Sequence, residues 1–310
     1  MTQSNGNLIS SASDPYRLNR NVAASTRLSL QHYIWKENMG YLLHPSIDVS
    51  RPDLAIADVG TGTGIWLLDL LRQLPNAKLH GFDISSEQYP APGFLPPNVS
   101  LSKLDILGEI PEEYREKFDV VHARLLVQVV NQAGSDPVPV IQNMMKLLSM
   151  LPSAHPLING VHEKSPGLTV VRPRYLEPGG YLQWEEPNDD ASKRPIVKAD
   201  PANSSENAEK LLQRLDARFR AATPASWSVA LGETFKEQGL QNVMQEEFST
   251  NTYLLLLDQA NYLGLFGELI SKLEGDLKDE LSRLHANTVA EARNGLSWKV
   301  RRFAFLGQKP

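Results

Sequence analysis

The 310-residue chain contains no cysteine. It can therefore form no disulfide bond and offers no thiolate for covalent catalysis, which excludes small disulfide-stabilised secreted scaffolds and cysteine-adduct mechanisms. No apolar run reaches the roughly 18 residues that a membrane-spanning helix needs. The first seven residues are polar, so we expect no signal peptide, no membrane partner and a cytoplasmic location.

Basic residues are too few to suggest a nucleic-acid partner. The chain has 31 Lys and Arg against 36 Asp and Glu, a formal net charge of -5, whereas nucleic-acid-binding domains usually carry a basic surface. No His, Asp and Glu cluster shows convincing metal-ligand spacing, so no metal is predicted. We expect a small-molecule partner and no nucleic acid; a homodimer remains open.

The most informative segment is residues 55–66, where an apolar stretch leads into Asp58 and then Gly60, Gly62 and Gly64. A strand that ends in glycines and turns into a helix lets its backbone approach a ligand closely, because glycine has no Cβ. The spacing differs from the G-x-G-x-x-G of dinucleotide-binding folds. An acid two residues before the first glycine suits a ligand with a positive amino group better than a pyrophosphate.

Apolar segments and helical periodicities alternate after this point, which predicts an α/β fold with a doubly wound parallel sheet. The predicted strands are 54–59, 78–83, 99–104, 118–123, 180–186, 242–249 and 297–306, and the predicted helical segments include 64–74, 137–149 and 254–286. Ligands of such sheets bind at the carboxyl ends of the strands. Asp58, Asp83 and Asp105 lie at three of these ends.

The pattern D-x-G-x-G-x-G, followed by Asp83 and Asp105, resembles the class I S-adenosylmethionine-dependent methyltransferases. Segments 27–33, 40–47 and 175–186 are similar to fungal small-molecule methyltransferases of secondary metabolism. The resemblance covers the chain from about residue 18 and implies a Rossmann-like seven-stranded sheet. This sheet would be mostly parallel with an antiparallel last strand, and N-terminal and C-terminal helices would cap it.

The same resemblance implies a single methyltransferase domain at 18–310 after a disordered tail at 1–17. Within the domain we expect an N-terminal helical cap at 18–48 and an irregular insertion at 150–174. A second, helical insertion at 251–295 would lie over the active site.

S-adenosyl-L-methionine is the cofactor that the resemblance implies. Asp58 would lie near its amino group, Asp83 would hold the ribose hydroxyls, and Asp105 would flank the adenine. The full set of implied cofactor-binding residues is Tyr16, Asp58, Gly60, Thr61, Gly62, Gly64, Asp83, Ile84, Asp105, Ile106 and Arg124.

Three residues are candidates for the catalytic role of removing a proton or orienting the acceptor: His32, His122 and Glu185. Each has an ordinary alternative, because His32 fits core packing, His122 a buried structural histidine and Glu185 a solvated strand end. The sequence favours methyl transfer to an oxygen of a small metabolite. Two alternatives stay open: a cyclase that keeps the methyl group on the cofactor, and a regulatory cofactor-binding protein.

Overall fold

The computed structural model describes residues 18–51, 53–150, 179–187, 194–220 and 227–310. The predicted tail at 1–17, with Tyr16, lies outside these residues. So does the predicted insertion from residue 151 onward.

The chain alternates strands and helices as expected, and the described elements are the following. The helices are α1 (Val22–Met39), α2 (Ile65–Leu71), α3 (Val127–Gln132), α4 (Val138–Leu147), α5 (Glu206–Arg220), α6 (Trp227–Glu237), α7 (Leu255–Ser271) and α8 (Gly275–Arg293). The strands are β1 (Ala55–Val59), β2 (Lys78–Asp83), β3 (Val99–Lys103), β4 (Val120–Arg124), β5 (Tyr181–Pro187), β6 (Ile196–Lys198), β7 (Gln241–Ser249), β8 (Leu296–Trp298) and β9 (Arg301–Gln308).

Seven strands form one sheet in the order β3-β2-β1-β4-β5-β9-β7. Strands β1 to β5 pair in parallel, whereas β9 runs antiparallel to both β5 and β7. The predicted mostly parallel sheet with an antiparallel last strand is therefore confirmed. Strands β6 and β8 form a separate antiparallel ribbon that the sequence analysis did not predict.

The two faces of this sheet differ in chemistry because successive strand residues point to opposite sides. The first, which we call the apolar face, packs against α4 and α6, and its strand residues are Ala57, Val59, Val121, Ala123, Leu182, Trp184, Phe303 and Phe305. The second face packs an apolar cluster that includes Ile56, Val120 and Leu306 against α2. At other positions of the same strands it carries Asp58, His122, Arg124, Glu185 and Arg302, and we call it the charged face. Helices α1, α2 and α7 contact these charged residues.

Helix α1 has clear signals at both ends. The side chain of Asn21 accepts a hydrogen bond from the Ala24 amide at 3.0 Å, which caps the first turn. Gly40 ends the helix with φ +82°, and its amide donates to the Lys36 carbonyl. Helix α1 packs against α7.

The C-terminal helices have a core of their own. Leu211 of α5, Phe266 of α7 and Leu281 of α8 pack together with Trp298 of β8. The sequence predicts one helical segment at 254–286. The structure instead has two helices there, because α7 ends at Ser271 and α8 begins at Gly275. Gly275 follows the break with φ +66°, a backbone conformation that favours glycine.

Candidate active site

The glycine loop follows β1 with backbone conformations that side chains disfavour. Gly60, Gly62 and Gly64 have φ of 72°, 55° and 73°, in the left-handed region. A Cβ on Gly60 would also lie 2.7 Å from Cδ2 of Leu126. The amides of Gly60 and Thr61 both donate to the carbonyl of Phe82, at 2.8 and 2.9 Å. The loop is therefore fixed by its backbone to the end of β2.

Asp83 joins the end of β2 to this loop. One carboxylate oxygen accepts from the Gly62 amide at 2.9 Å and the other from the Ser85 amide at 3.2 Å. Burial raises the pKa of the Asp83 carboxyl, while these two amide hydrogen bonds oppose the shift. Each oxygen keeps a further lone pair that a ligand hydroxyl could use.

The predicted adenine-side residues are less clearly arranged. Asp105 is exposed and accepts a hydrogen bond from the Leu107 amide at 2.9 Å within its own loop. Ile106 is buried in the core beneath the apolar face, and Ile84 is 46% exposed. The structure thus links Asp83 to the glycine loop directly, whereas the described contacts of Asp105 and Ile106 lie elsewhere.

A continuous chain of ionisable side chains starts at Asp58 on the charged face. Oδ1 of Asp58 lies 2.7 Å from Nδ1 of His122, and Nε2 of His122 lies 3.4 Å from Oε1 of Glu185. The other oxygen of Glu185 lies 3.4 Å from Nη1 of Arg124. The strand residues that the sequence predicted at β1, β4 and β5 are therefore brought together.

The same chain continues from the sheet into the helices. Nη2 of Arg124 lies 3.0 Å from Nδ1 of His32 on α1. Nε2 of His32 lies 3.0 Å from Oδ2 of Asp69 on α2, and Nζ of Lys36 donates to the same oxygen at 2.7 Å. The charges therefore alternate in sign from the sheet to the helix surface.

The surroundings of His122 favour its cationic form. Burial disfavours its charged form, but Glu185 and Asp58 outweigh burial and raise its pKa. Trp66 stacks on the imidazole with 3.8 Å between ring centroids and 3° between planes, a geometry that also favours a cation. Burial opposes ionisation of Glu185 as well, but His122 and Arg124 lower its pKa. Each group thus favours the charged form of the other.

His32 behaves in the opposite way. Burial and the neighbouring guanidinium of Arg124 lower its pKa to about 4, despite the hydrogen bond to Asp69. It is therefore neutral at pH 7. A guanidinium can only donate hydrogen bonds, so Nδ1 of His32 accepts from Arg124 and Nε2–H donates to Asp69.

Two polar residues at the site, Asp69 and Gln183, were not predicted from the sequence, whereas Glu186 was predicted beside Glu185 as a residue that could orient an acceptor. Gln183 donates to Glu185 at 2.7 Å and accepts from the His44 amide at 2.8 Å. Glu186 accepts from the Leu126 amide at 2.5 Å, in the turn that follows Arg124. Asp69 carried a usable signal, since it is the single charged residue in the apolar helix α2.

The residues present fit a bound S-adenosylmethionine. The loop has left-handed backbone at its three glycines, and Asp83 has spare acceptor capacity. Among the described residues, the buried hydroxyls of Thr61 and Thr63 have no hydrogen-bond partner, as expected of groups that a ligand satisfies.

The described residues contain no group of three or more His, Cys, Asp or Glu that could hold a metal ion. Within the same ranges, the helices lack the combination of length and hydrophobicity needed to cross a membrane.

The chain is similar to known methyltransferases. Residues 57–150 match the family model of a methyltransferase domain. The N-methyltransferase tcpN of Claviceps purpurea is 42% identical over 110 residues, which are 35% of this chain and 39% of that protein. The methyltransferase grgD of a Penicillium species is 28% identical over 301 residues, 91% of this chain and 92% of that protein.

Among solved structures, phosphoethanolamine N-methyltransferase 2 of Haemonchus contortus aligns with 92% of this chain and 57% of its own. The TM-score is 0.48 and the identity 13%, a distant likeness from which nothing further follows. The alignment with tcpN spans about two fifths of that relative's length.

The sheet order, the glycine loop and the matched family model together show a class I S-adenosylmethionine-dependent methyltransferase domain. This confirms the resemblance found in the sequence and its cofactor, S-adenosylmethionine. Within that class the chain is similar to the fungal methyltransferases tcpN and grgD.

Proposed function

We propose that this protein transfers a methyl group from S-adenosylmethionine to a nitrogen atom of a small-molecule metabolite. The sequence analysis favoured an oxygen acceptor. Nitrogen is preferred here because of how the structure uses the three candidate catalytic residues.

None of these three residues is placed to take a proton from an acceptor, because all three side chains are buried and paired with one another or with neighbours. Both nitrogens of His122 face carboxylates, and its raised pKa favours the protonated form. His32 is neutral, but its one lone pair accepts from Arg124. Glu185 is ionised but fully buried, and its oxygens face His122, Gln183 and Arg124. This burial and pairing of all three candidate residues is the observation that carries the proposal.

A neutral amine suits such a site better than an alcohol does. An amine attacks with an available lone pair and loses its proton after the transfer, whereas a hydroxyl needs a base during the transfer. The name of the relative tcpN, an N-methyltransferase, supports the same choice.

The cofactor, when bound, supplies a methyl group that its sulfonium has already activated. Asp83 would accept from the ribose hydroxyls, and Asp58 would attract the amino group. Arg124 would attract the carboxylate with the donors that Glu185 and His32 leave free. These residues act by positioning, which accounts for a large part of catalysis in displacement reactions.

The helical cap would exclude water from the transfer. Leu28 of α1 lies over the glycine loop, 3.4 Å from where a Cβ of Gly62 would be. The side chain of Gln88, in the loop after β2, donates to Ser25 of α1 at 3.3 Å. We propose that α1, with α7 packed against it, forms the roof of the cofactor site.

The test uses S-adenosylmethionine with a deuterated methyl group, the purified protein and a fungal metabolite extract. Tandem mass spectrometry locates the label in any product. We expect the label on a nitrogen. A label on oxygen would overturn the nitrogen proposal and restore the preference of the sequence analysis.

Two further outcomes would contradict methyl transfer itself and not only the nitrogen acceptor. A new product that needs the cofactor but carries no label indicates a cyclase. Cofactor binding with no product, also when simple amines and amine-containing metabolites are supplied one by one, indicates a regulatory protein.

A further inference from the structure

We propose that Asp69 is a positioning residue that fixes the tautomer of His32, and that His32 in turn orients Arg124 beside the cofactor site. Only the identity of the ligand near Arg124 rests on the proposed function. The arrangement of Asp69, His32 and Arg124 stands on geometry alone.

Asp69 is in an unusual position for a carboxylate. It lies in α2, between apolar residues in the sequence Ile-Trp-Leu-Leu-Asp-Leu-Leu, and is only 4% exposed. Burying a carboxylate there is costly unless it is paired. Its partners come from α1, where His32 and Lys36 lie one turn apart, and from Arg72 at 3.7 Å.

The bonds of His32 define one tautomer. Because Arg124 can only donate, Nδ1 of His32 must carry a lone pair, and the ring proton must lie on Nε2. Asp69 accepts that proton at 3.0 Å. A carboxylate at this place stabilises the Nε2–H tautomer, as such groups do for histidines that bind a third partner.

The orientation of Arg124 depends on this histidine. Its bond to His32, at 3.0 Å, is shorter than its 3.4 Å contact with Glu185. The guanidinium also lies 5.8 Å from the ring centroid of Trp35, on the same helix as His32. With the other tautomer, two donors would face each other and Arg124 would turn away.

The direct test is nuclear magnetic resonance of protein labelled with 15N-histidine. The chain has 7 histidines, and the His32 signals are those lost in the His32→Gln variant. We expect a neutral His32 with its proton on Nε2 at pH 7, and mixed tautomers in Asp69→Leu. An Nδ1–H tautomer or an imidazolium in the wild type overturns the inference, and so does an unchanged tautomer in Asp69→Leu.

The functional readout is the affinity for S-adenosylhomocysteine by calorimetry. We expect Asp69→Leu and His32→Leu each to weaken binding about tenfold, equivalent to about 1.4 kcal/mol. His32→Gln should recover most of this loss, because an amide can accept from Arg124 and donate to Asp69 at once. Equal affinities in Asp69→Leu and wild type would overturn the inference.

Two controls separate this role from general stability. Glu291→Gln changes another buried carboxylate, which bonds to the amides of Asn207 and Ala208 at the start of α5, and should leave affinity unchanged. Asp69→Asn keeps an acceptor for Nε2–H and the shape of the side chain. If the wild type bound no S-adenosylhomocysteine, the proposed function would fail, while the tautomer spectra would still decide the role of Asp69.

Discussion

The apolar face and the charged face of the sheet are built from the same strands, one residue apart. On β5, Leu182 and Trp184 pack into the core against α4 and α6, while Glu185 faces His122 and Arg124. Both sets of side chains are almost fully buried. The two sets of side chains therefore do not differ in burial. They differ in chemistry, since one set is apolar and the other charged.

This difference separates stability from function. Burying apolar surface stabilises the fold at about 25 cal/mol per Å², whereas a buried ion pair rarely exceeds a well-packed apolar pair in stability. We infer that the apolar face and the apolar cluster that α2 covers on the opposite face hold the domain together. The charged face keeps its buried ions because they position the cofactor site.

The largest expected effect comes from the apolar face. Leu182→Ala removes a fully buried side chain and should lower the free energy of unfolding by about 2–5 kcal/mol, measured by urea denaturation. The folded fraction should bind S-adenosylhomocysteine as tightly as wild type does. A large loss of affinity without a loss of stability would contradict the division between the faces.

The histidines of the charged face and of α1 should make the free energy of unfolding depend on pH. The folded-state pKa of His32 is about 4, below its usual 6.5. Between pH 4 and 6.5, His32 is therefore protonated in the unfolded state but neutral in the folded state. The contribution of His32 to the free energy of unfolding is complete above pH 6.5 and is lost as the pH falls towards 4, a change of about 3 kcal/mol. The His32→Gln variant should lack this part of the pH dependence.

Urea denaturation of wild type and His32→Gln between pH 4 and 6.5 checks this, since other titrating groups cancel in the difference. Equal slopes would show that His32 is not buried as a neutral ring. His122 should act in the opposite sense. Its raised pKa stabilises the fold below pH 6.5, and that contribution is lost as the pH rises through its folded-state pKa.

A smaller effect is expected from Glu185→Gln. The change keeps the size of the side chain but removes one of the two carboxylates that face His122. The imidazolium can then release its proton, which limits the loss of stability to about 1–3 kcal/mol. The pKa of His122, followed by its NMR titration, should fall. An unchanged His122 titration would show that Glu185 does not influence its charge.

The sequence predicted the features that have local patterns. The glycine loop and the five parallel strands were found because apolar runs and glycine spacing lie within a few residues of one another, whereas the antiparallel direction of β9 was implied by the family resemblance. The boundary between α7 and α8 was missed because both helices share an apolar periodicity across Gly275. Ribbon strands β6 and β8 are three residues each, too short for a periodicity to show.

The network of charges could not be predicted in the same way. His32 and Asp69 are 37 residues apart, and Arg124 and His32 are 92 apart. Such pairs depend on how α1 crosses the sheet, which no local pattern encodes. The residues themselves were partly found, since His32, His122, Glu185 and Arg124 were candidates, but their roles as mutual partners became visible only in three dimensions.

The most direct test of the account is calorimetric titration of S-adenosylhomocysteine into wild type and Asp83→Ala. Asp83 is the acid that joins the glycine loop to β2. Wild type should bind one ligand per chain, and Asp83→Ala should bind at least about tenfold more weakly, equivalent to about 1.4 kcal/mol. Asp279→Ala, an exposed acid on α8, should match wild type. No binding by wild type, or equal affinities for wild type and Asp83→Ala, would contradict the assignment of this edge of the sheet as the cofactor site.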